Sequence, residues 1–92
     1  MRRVIVRDTP EGRRYACRCC GYLTLMEQPD NTFEICPVCR WNDDGLQFED
    51  PDRTGGANTV SLNQARSNFR RFRVSDLSKQ GHGRPPRTVE RP

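Results

Sequence analysis

The chain is poor in the residues that build a large core. Of 92 residues only 33% are hydrophobic and 8% aromatic, while 30% are charged. That supply leaves room for one small domain with tails, not for two cores. Histidine occurs once, as His82 inside Gly81-His82-Gly83, which reads as an incidental tail residue. With one remote imidazole, neither a Ser/His/Asp triad nor a Cys/His pair has support. No apolar run approaches a membrane span. The N-terminus, Met1-Arg2-Arg3-Val4-Ile5-Val6-Arg7-Asp8, holds no apolar stretch of signal-peptide length. A reducing cytoplasm, where thiols stay free, is therefore the expected setting.

Cysteine is what the chain has in quantity. Five are present, an odd count that does not suit a closed disulfide framework. Four fall into two Cys-x2-Cys steps, Cys17-Arg18-Cys19-Cys20 and Cys36-Pro37-Val38-Cys39, with fifteen residues between Cys20 and Cys36. A loop of that length can fold back and bring both pairs onto one tetrahedral ion. Cys17, Cys20, Cys36 and Cys39 are the expected ligands, each as thiolate, and one Zn2+ is the expected ion. Four thiolates close the coordination shell, which points to a structural and non-catalytic metal. A domain this small commonly needs such a staple. A structural zinc contributes about 10–16 kcal/mol of apparent binding energy at neutral pH, as much as the roughly 5–15 kcal/mol net stability of a typical domain. Metal binding and folding are expected to be one event.

The glycine after a Cys-x2-Cys turn permits positive φ and lets backbone amides point at the sulfurs. Gly21 stands in that place after Cys20, whereas Arg40 stands there after Cys39. Cys19 reads as a small half-buried residue beside the site, with a reactive thiol or a replacement for Cys17 as the alternatives. Tyr15-Ala16-Cys17 through Cys20-Gly21-Tyr22, together with Cys36-Pro37, resembles the knuckles of rubredoxins, so iron in an electron carrier is the alternative metal. Rubredoxins place a longer and more aromatic segment between their knuckles. Colour separates the two, red for a ferric site and none for zinc.

Charge is segregated along the chain. Residues 1–20 carry six basic and two acidic groups, residues 21–60 two and eight, residues 61–92 eight and two. The net charge of +4 thus conceals balances of +4, −6 and +6. Basic ends can neutralise an acidic centre within the molecule, or they can present a surface to nucleic acid or to an acidic partner.

Val4-Ile5-Val6 reads as a short strand leading into the turn Asp8-Thr9-Pro10-Glu11-Gly12. Residues 22–27 and 32–36 read as the two strands of a hairpin around Gln28-Pro29-Asp30-Asn31, which would return Cys36 to Cys20. Trp41 reads as cover for the metal site. Asn42-Asp43-Asp44-Gly45 continues as a polar turn, and Leu46 and Phe48 as the start of an extended piece. Ser61-Leu62-Asn63-Gln64 fits a capping box opening a helix. Leu62, Ala65, Phe69 and Phe72 line one apolar stripe of that helix. Arg66, Arg70, Arg71 and Arg73 flank the stripe and are the candidate contacts for nucleic acid or an acidic partner. Residues 78–92 offer almost nothing to bury and read as a flexible basic tail.

The ordered set Tyr15-Ala16-Cys17-Arg18-Cys19-Cys20-Gly21-Tyr22, Phe33-Glu34-Ile35-Cys36-Pro37-Val38-Cys39 and Trp41-Asn42-Asp43-Asp44-Gly45 resembles the bacterial cysteine-rich CPCC family of small proteins. The match continues through Gly55-Gly56-Ala57-Asn58, Ser61-Leu62, Ala65-Arg66 and Asn68-Phe69. The family's signature has Pro where Arg18 stands. The resemblance implies a metal-binding domain without an assigned activity, with the helix at 61–72 belonging to it, and it supplies no catalytic residues.

These readings converge on a small α+β fold: a zinc-ribbon-like β-hairpin with two cysteine knuckles, packed by one C-terminal helix. The expected organisation is an N-terminal strand and turn over 1–14, the metal-binding domain over 15–77 and the tail over 78–92. The expected role is a macromolecular interaction module, with a protein partner ahead of nucleic acid because acidic and basic regions are both prominent.

Overall fold

The structure, a computed structural model, describes residues 6–92. Val4 and Ile5 of the expected first strand lie outside the described residues. Strand β1 (Val6–Thr9) turns through Pro10 and Glu11 into β2 (Gly12–Ala16), with Thr9 opposite Gly12. Gly12 takes φ 113° in that turn, a conformation that a side chain would resist. Strand β2 then pairs antiparallel with β3 (Leu23–Leu25), giving a three-stranded sheet in the order β1-β2-β3. All three residues of β3 are buried.

The fold is thus the small α+β class expected, but the hairpin is drawn from different segments. Residues 23–25 pair backwards in the chain with β2, and 32–36 form no strand apart from a single bridge between Ile35 and Asn42. The reason is local. Each Cys-x2-Cys step closes its own antiparallel turn, so the first knuckle joins β2 to β3 and the second joins Ile35 to Asn42. Residues 32–36 therefore find their partner in the chain just beyond Cys39.

A second correction concerns Leu46 and Phe48, expected to begin an extended piece. The segment is a short helix, α1 (Gly45–Glu49), capped by the Asp44 carboxylate, which accepts from the amides of Leu46 and Gln47. Helix α2 (Leu62–Phe72) begins as expected: Ser61 is the N-cap and its hydroxyl accepts from the Gln64 amide at 3.1 Å. Gln64 does not reach back to complete the box and donates instead to Asn68. Of the apolar stripe, Leu62, Ala65 and Phe69 are buried and Phe72 is 40% exposed.

The core is a single cluster in which Leu25, Val38, Trp41, Leu62, Ala65 and Phe69 surround Cys17, Cys36 and Cys39. The segment 78–92 contributes more than its composition implied. It carries two short 3-10 turns, Leu77–Lys79 and Thr88–Glu90, the second packed on β3. Glu90 is buried, held by Arg84 through two contacts of 2.8 Å. Arg87 ties the segment to Glu11 in the β1–β2 turn. Among the described residues no helix is long and apolar enough to cross a membrane.

Candidate metal centre

The two knuckles repeat one another at an interval of nineteen residues, Cys17 to Cys36 and Cys20 to Cys39. In the first, the Cys17 amide donates to the Tyr22 carbonyl at 2.9 Å and the Gly21 amide to the Cys17 carbonyl at 2.8 Å. In the second, the Cys36 amide donates to the Trp41 carbonyl at 2.9 Å and the Arg40 amide to the Cys36 carbonyl at 2.8 Å. Ala16 opposite Leu23 closes the first turn, and Ile35 opposite Asn42 closes the second. Gly21 and Arg40 both take positive φ, 81° and 71°. Arg40 therefore adopts the glycine conformation that its side chain disfavours.

This repeat brings the four sulfurs together. The Sγ atoms of Cys17, Cys20, Cys36 and Cys39 all lie within 4.8 Å of one another. Across the knuckles, Cys17 Sγ is 3.6 Å from Cys39 Sγ, and Cys20 Sγ is 3.7 Å from Cys36 Sγ. A tetrahedron with metal–sulfur bonds of about 2.3 Å has edges of about 3.8 Å, and these two separations are close to that edge. A disulfide needs roughly 2.05 Å, and all five cysteines are free. The donor set fits a single tetrahedral metal ion. Cys19 stands outside this group, half-buried and packed against the core.

The sulfurs are also supported from outside the group. Thr24 Oγ1 lies 3.0 Å from Cys36 Sγ, and the Trp41 amide donates to Cys39 Sγ at 3.4 Å. Contacts of this kind fix ligand orientation and spread thiolate charge. The sulfurs also perturb one another in opposite directions. Hydrogen bonds from Cys17, Cys20 and Cys39 hold the Cys36 thiol far below its ordinary range. The sulfur contacts with Cys20 and Cys36 push Cys17 up, and those with Cys17 and Cys19 push Cys39 up. Cys20 is pulled down by Cys17 but pushed up overall by Cys36 and Cys39. Four thiolates packed this closely repel one another, and a divalent cation among them offsets that repulsion.

Helix α2 clamps both knuckles. Arg66 Nε donates to the Arg18 carbonyl at 3.0 Å, and Phe69 meets the Tyr22 ring edge-on at 6.1 Å. Asn68 donates to the Ser75 carbonyl, and the Ser75 amide donates to the Cys39 carbonyl at 2.7 Å. The four arginines expected as contacts are engaged to different degrees. Arg66 is engaged with the first knuckle, Arg70 is exposed, Arg71 lies over the Phe72 ring, and Arg73 forms the left-handed C-cap over the Phe69 ring.

Several residues prove structural that composition alone did not single out. The segments 41–45 and 55–58 are two halves of one hydrogen-bonded loop. Asn58 exchanges two bonds with the backbone of Asn42, and Asp44 accepts from the Ala57 amide at 2.9 Å. Gln47, fully buried, donates to the carbonyls of Arg53, Asn58 and Val60. Asp43 is also buried and accepts from the amides of Asp30 and Thr32. Neither aspartate sits in the polar turn expected there: Asp44 caps α1, and Asp43 anchors the segment 30–32. Arg18 extends from the first knuckle to stack on the Phe48 ring, 3.6 Å from its centroid, with Asp43 Oδ1 3.9 Å away. The residue that replaces the expected Pro therefore links the two halves of the fold.

With this geometry established, comparison with known proteins is specific. Residues 15–90 match the model of a family described as Cysteine-rich CPCC. No curated protein matches the chain.

Proposed function

Since the chain belongs to the cysteine-rich CPCC family, we propose that it is a non-catalytic zinc domain whose metal organises a surface for a protein partner. The observation that carries this reading is the group of four sulfurs within 4.8 Å of one another, with two separations across the knuckles of 3.6 and 3.7 Å. Cys17, Cys20, Cys36 and Cys39 would hold the ion. Four protein ligands leave no position for water or substrate, which is the mark of a structural site. Zinc has no redox chemistry and makes no geometric demand of its own, so it suits a centre in which three of the four ligand residues are at most 2% exposed. His82 is exposed and is not part of the four-sulfur group.

The metal supplies the stability that so small a core lacks. Core residues from β3, both knuckles and α2 meet at the sulfurs, so loss of the ion removes the point that joins them. A protein partner is favoured over nucleic acid because acidic and basic stretches are both prominent along the chain and because Arg66 is engaged within the fold.

The test is to strip the metal with a strong chelator under reducing conditions and follow the whole chain by NMR and thermal melting. Collapse of the dispersed spectrum, reversed by adding one equivalent of zinc, is the expected result. A cooperative melt and unchanged spectrum in the stripped protein would refute a structural role.

A further inference from the structure

The C-terminal end of α2 and the segment 80–91 enclose a groove of about 580 Å³ beside the metal centre. We infer that this groove binds an acidic peptide segment carrying an apolar anchor, the anchor entering between Phe69 and Phe72 and the carboxylates meeting Arg73 and Arg91. The inference rests on the interaction-module reading above and names its surface.

Charge is the first argument. The charged residues lining the groove are Arg73, Arg84 and Arg91, and no acidic side chain lines it. Arg84 is held in place by Glu90, but among the described residues no ion pair engages Arg73 or Arg91. Arg73 lies over the Phe69 ring with its guanidinium 5.4 Å from the centroid. Among the described residues no hydrogen bond engages that guanidinium, so its N–H groups can meet a carboxylate.

Shape is the second. Phe72 falls on the apolar stripe of α2 that is otherwise buried, yet it is 40% exposed and faces this groove. Tyr22 and Val38 from the two knuckles and Val74 complete the apolar wall. The volume lies within the range of about 300–1,000 Å³ in which small ligands are largely buried, enough for one or two side chains of a peptide. Acidic residues flanking an apolar anchor match this combination of arginine rim and aromatic floor. A nucleic acid strand would require a longer basic track than these few arginines provide.

The wall is built on both cysteine knuckles, so an ordered groove depends on the metal. Gly83 makes the enclosure possible: it crosses so close to the Val38 carbonyl that a Cβ there would collide with it.

Fluorescence polarisation on the zinc-loaded full chain tests the inference. The probe is a labelled short peptide alternating glutamate with phenylalanine and leucine; the same peptide with lysine for glutamate and a labelled single-stranded oligonucleotide are the comparisons. Binding of the acidic peptide alone is expected, weakened by about tenfold or more in Arg91→Glu and in Phe72→Ser, and weakened by salt. No binding, equal binding of the lysine peptide or the oligonucleotide, or binding indifferent to both substitutions would overturn it. Metal content and melting temperature are measured on the same samples. A folded, metal-loaded protein that ignores the peptide defeats the groove alone, whereas a chain that stays folded after metal removal defeats the structural-zinc reading.

Discussion

Arg40 stands at φ 71° where Gly21, its counterpart in the other knuckle, stands at 81°. Both amides donate to the carbonyl of the first cysteine of their own turn. A side chain in this region costs about 1–2 kcal/mol, and the Arg40 Nε is buried without a hydrogen-bond partner. Arg40→Gly removes that strain but frees the unfolded chain by about 0.4–1 kcal/mol. The zinc-loaded variant is expected to gain up to about 1 kcal/mol in urea denaturation. A clear loss would mean that the arginine side chain contributes more than its backbone strain removes.

Gly55 and Gly56 separate two kinds of glycine requirement. A Cβ on Gly56 would lie 2.5 Å from Asp44 Oδ2 and 2.9 Å from Gln47 Cδ, both held by half-buried hydrogen bonds. A Cβ on Gly55 meets nothing within 4 Å, although φ there is 75°. Gly56→Ala is expected to cost about 2–3 kcal/mol through overpacking, and Gly55→Ala about 1–2 kcal/mol through its backbone. Equal losses in thermal melts would remove the loop formed by 41–45 and 55–58 from the account.

The buried Glu90 gives the fold a pH dependence of its own. Arg84, then the Arg87 amide, hold its carboxyl below its ordinary 4.5 despite burial. The folded state therefore binds fewer protons than the unfolded chain between that lowered value and 4.5. The stabilisation is complete above 4.5 and is lost as the pH falls through the lowered value. Glu90→Gln is expected to cost about 1–2 kcal/mol at neutral pH, the worth of a partly exposed charged hydrogen-bond pair. The gap to the unaltered protein should narrow on acidification below about 4.5. A gap that is constant from neutral to acid pH would show that the Arg84–Glu90 pair contributes nothing through its charge.

Cys19 and Cys20 are neighbours with opposite expected roles. Cys20 Sγ sits 3.7 Å from Cys36 Sγ, whereas Cys19 lies outside the four-sulfur group. Cys20→Ser is expected to lose metal at chelator concentrations that leave Cys19→Ser fully loaded, as read by a colorimetric zinc indicator. If Cys19→Ser releases its metal first, the ligand assignment is wrong.

How much of this was legible in the sequence depends on how local each signal is. The Cys-x2-Cys steps carry their own turn geometry, so the ligand group could be read directly, as could the Ser61 cap and the stripe from Leu62 to Phe69. Strand pairing could not. Residues 32–36 alternate as a strand should, but their nearest partner is fixed by closure of the second knuckle between Ile35 and Asn42. Helix α1 was missed because Gly45 opens it, although Asp44 followed by Gln47 is a capping signal that could have found it. The anchoring of 78–92 was hidden for another reason. A carboxylate is buried only against a partner, and Glu90 reaches that state only when the fold brings the turn Thr88–Glu90 onto β3.

X-ray absorption at the zinc edge of the purified protein, with elemental analysis of the same sample, bears most directly on the centre itself. One zinc per chain surrounded by four sulfurs at about 2.3 Å is the expected result. A nitrogen or oxygen ligand in the shell, or a chain that is folded with no metal bound, would contradict the account.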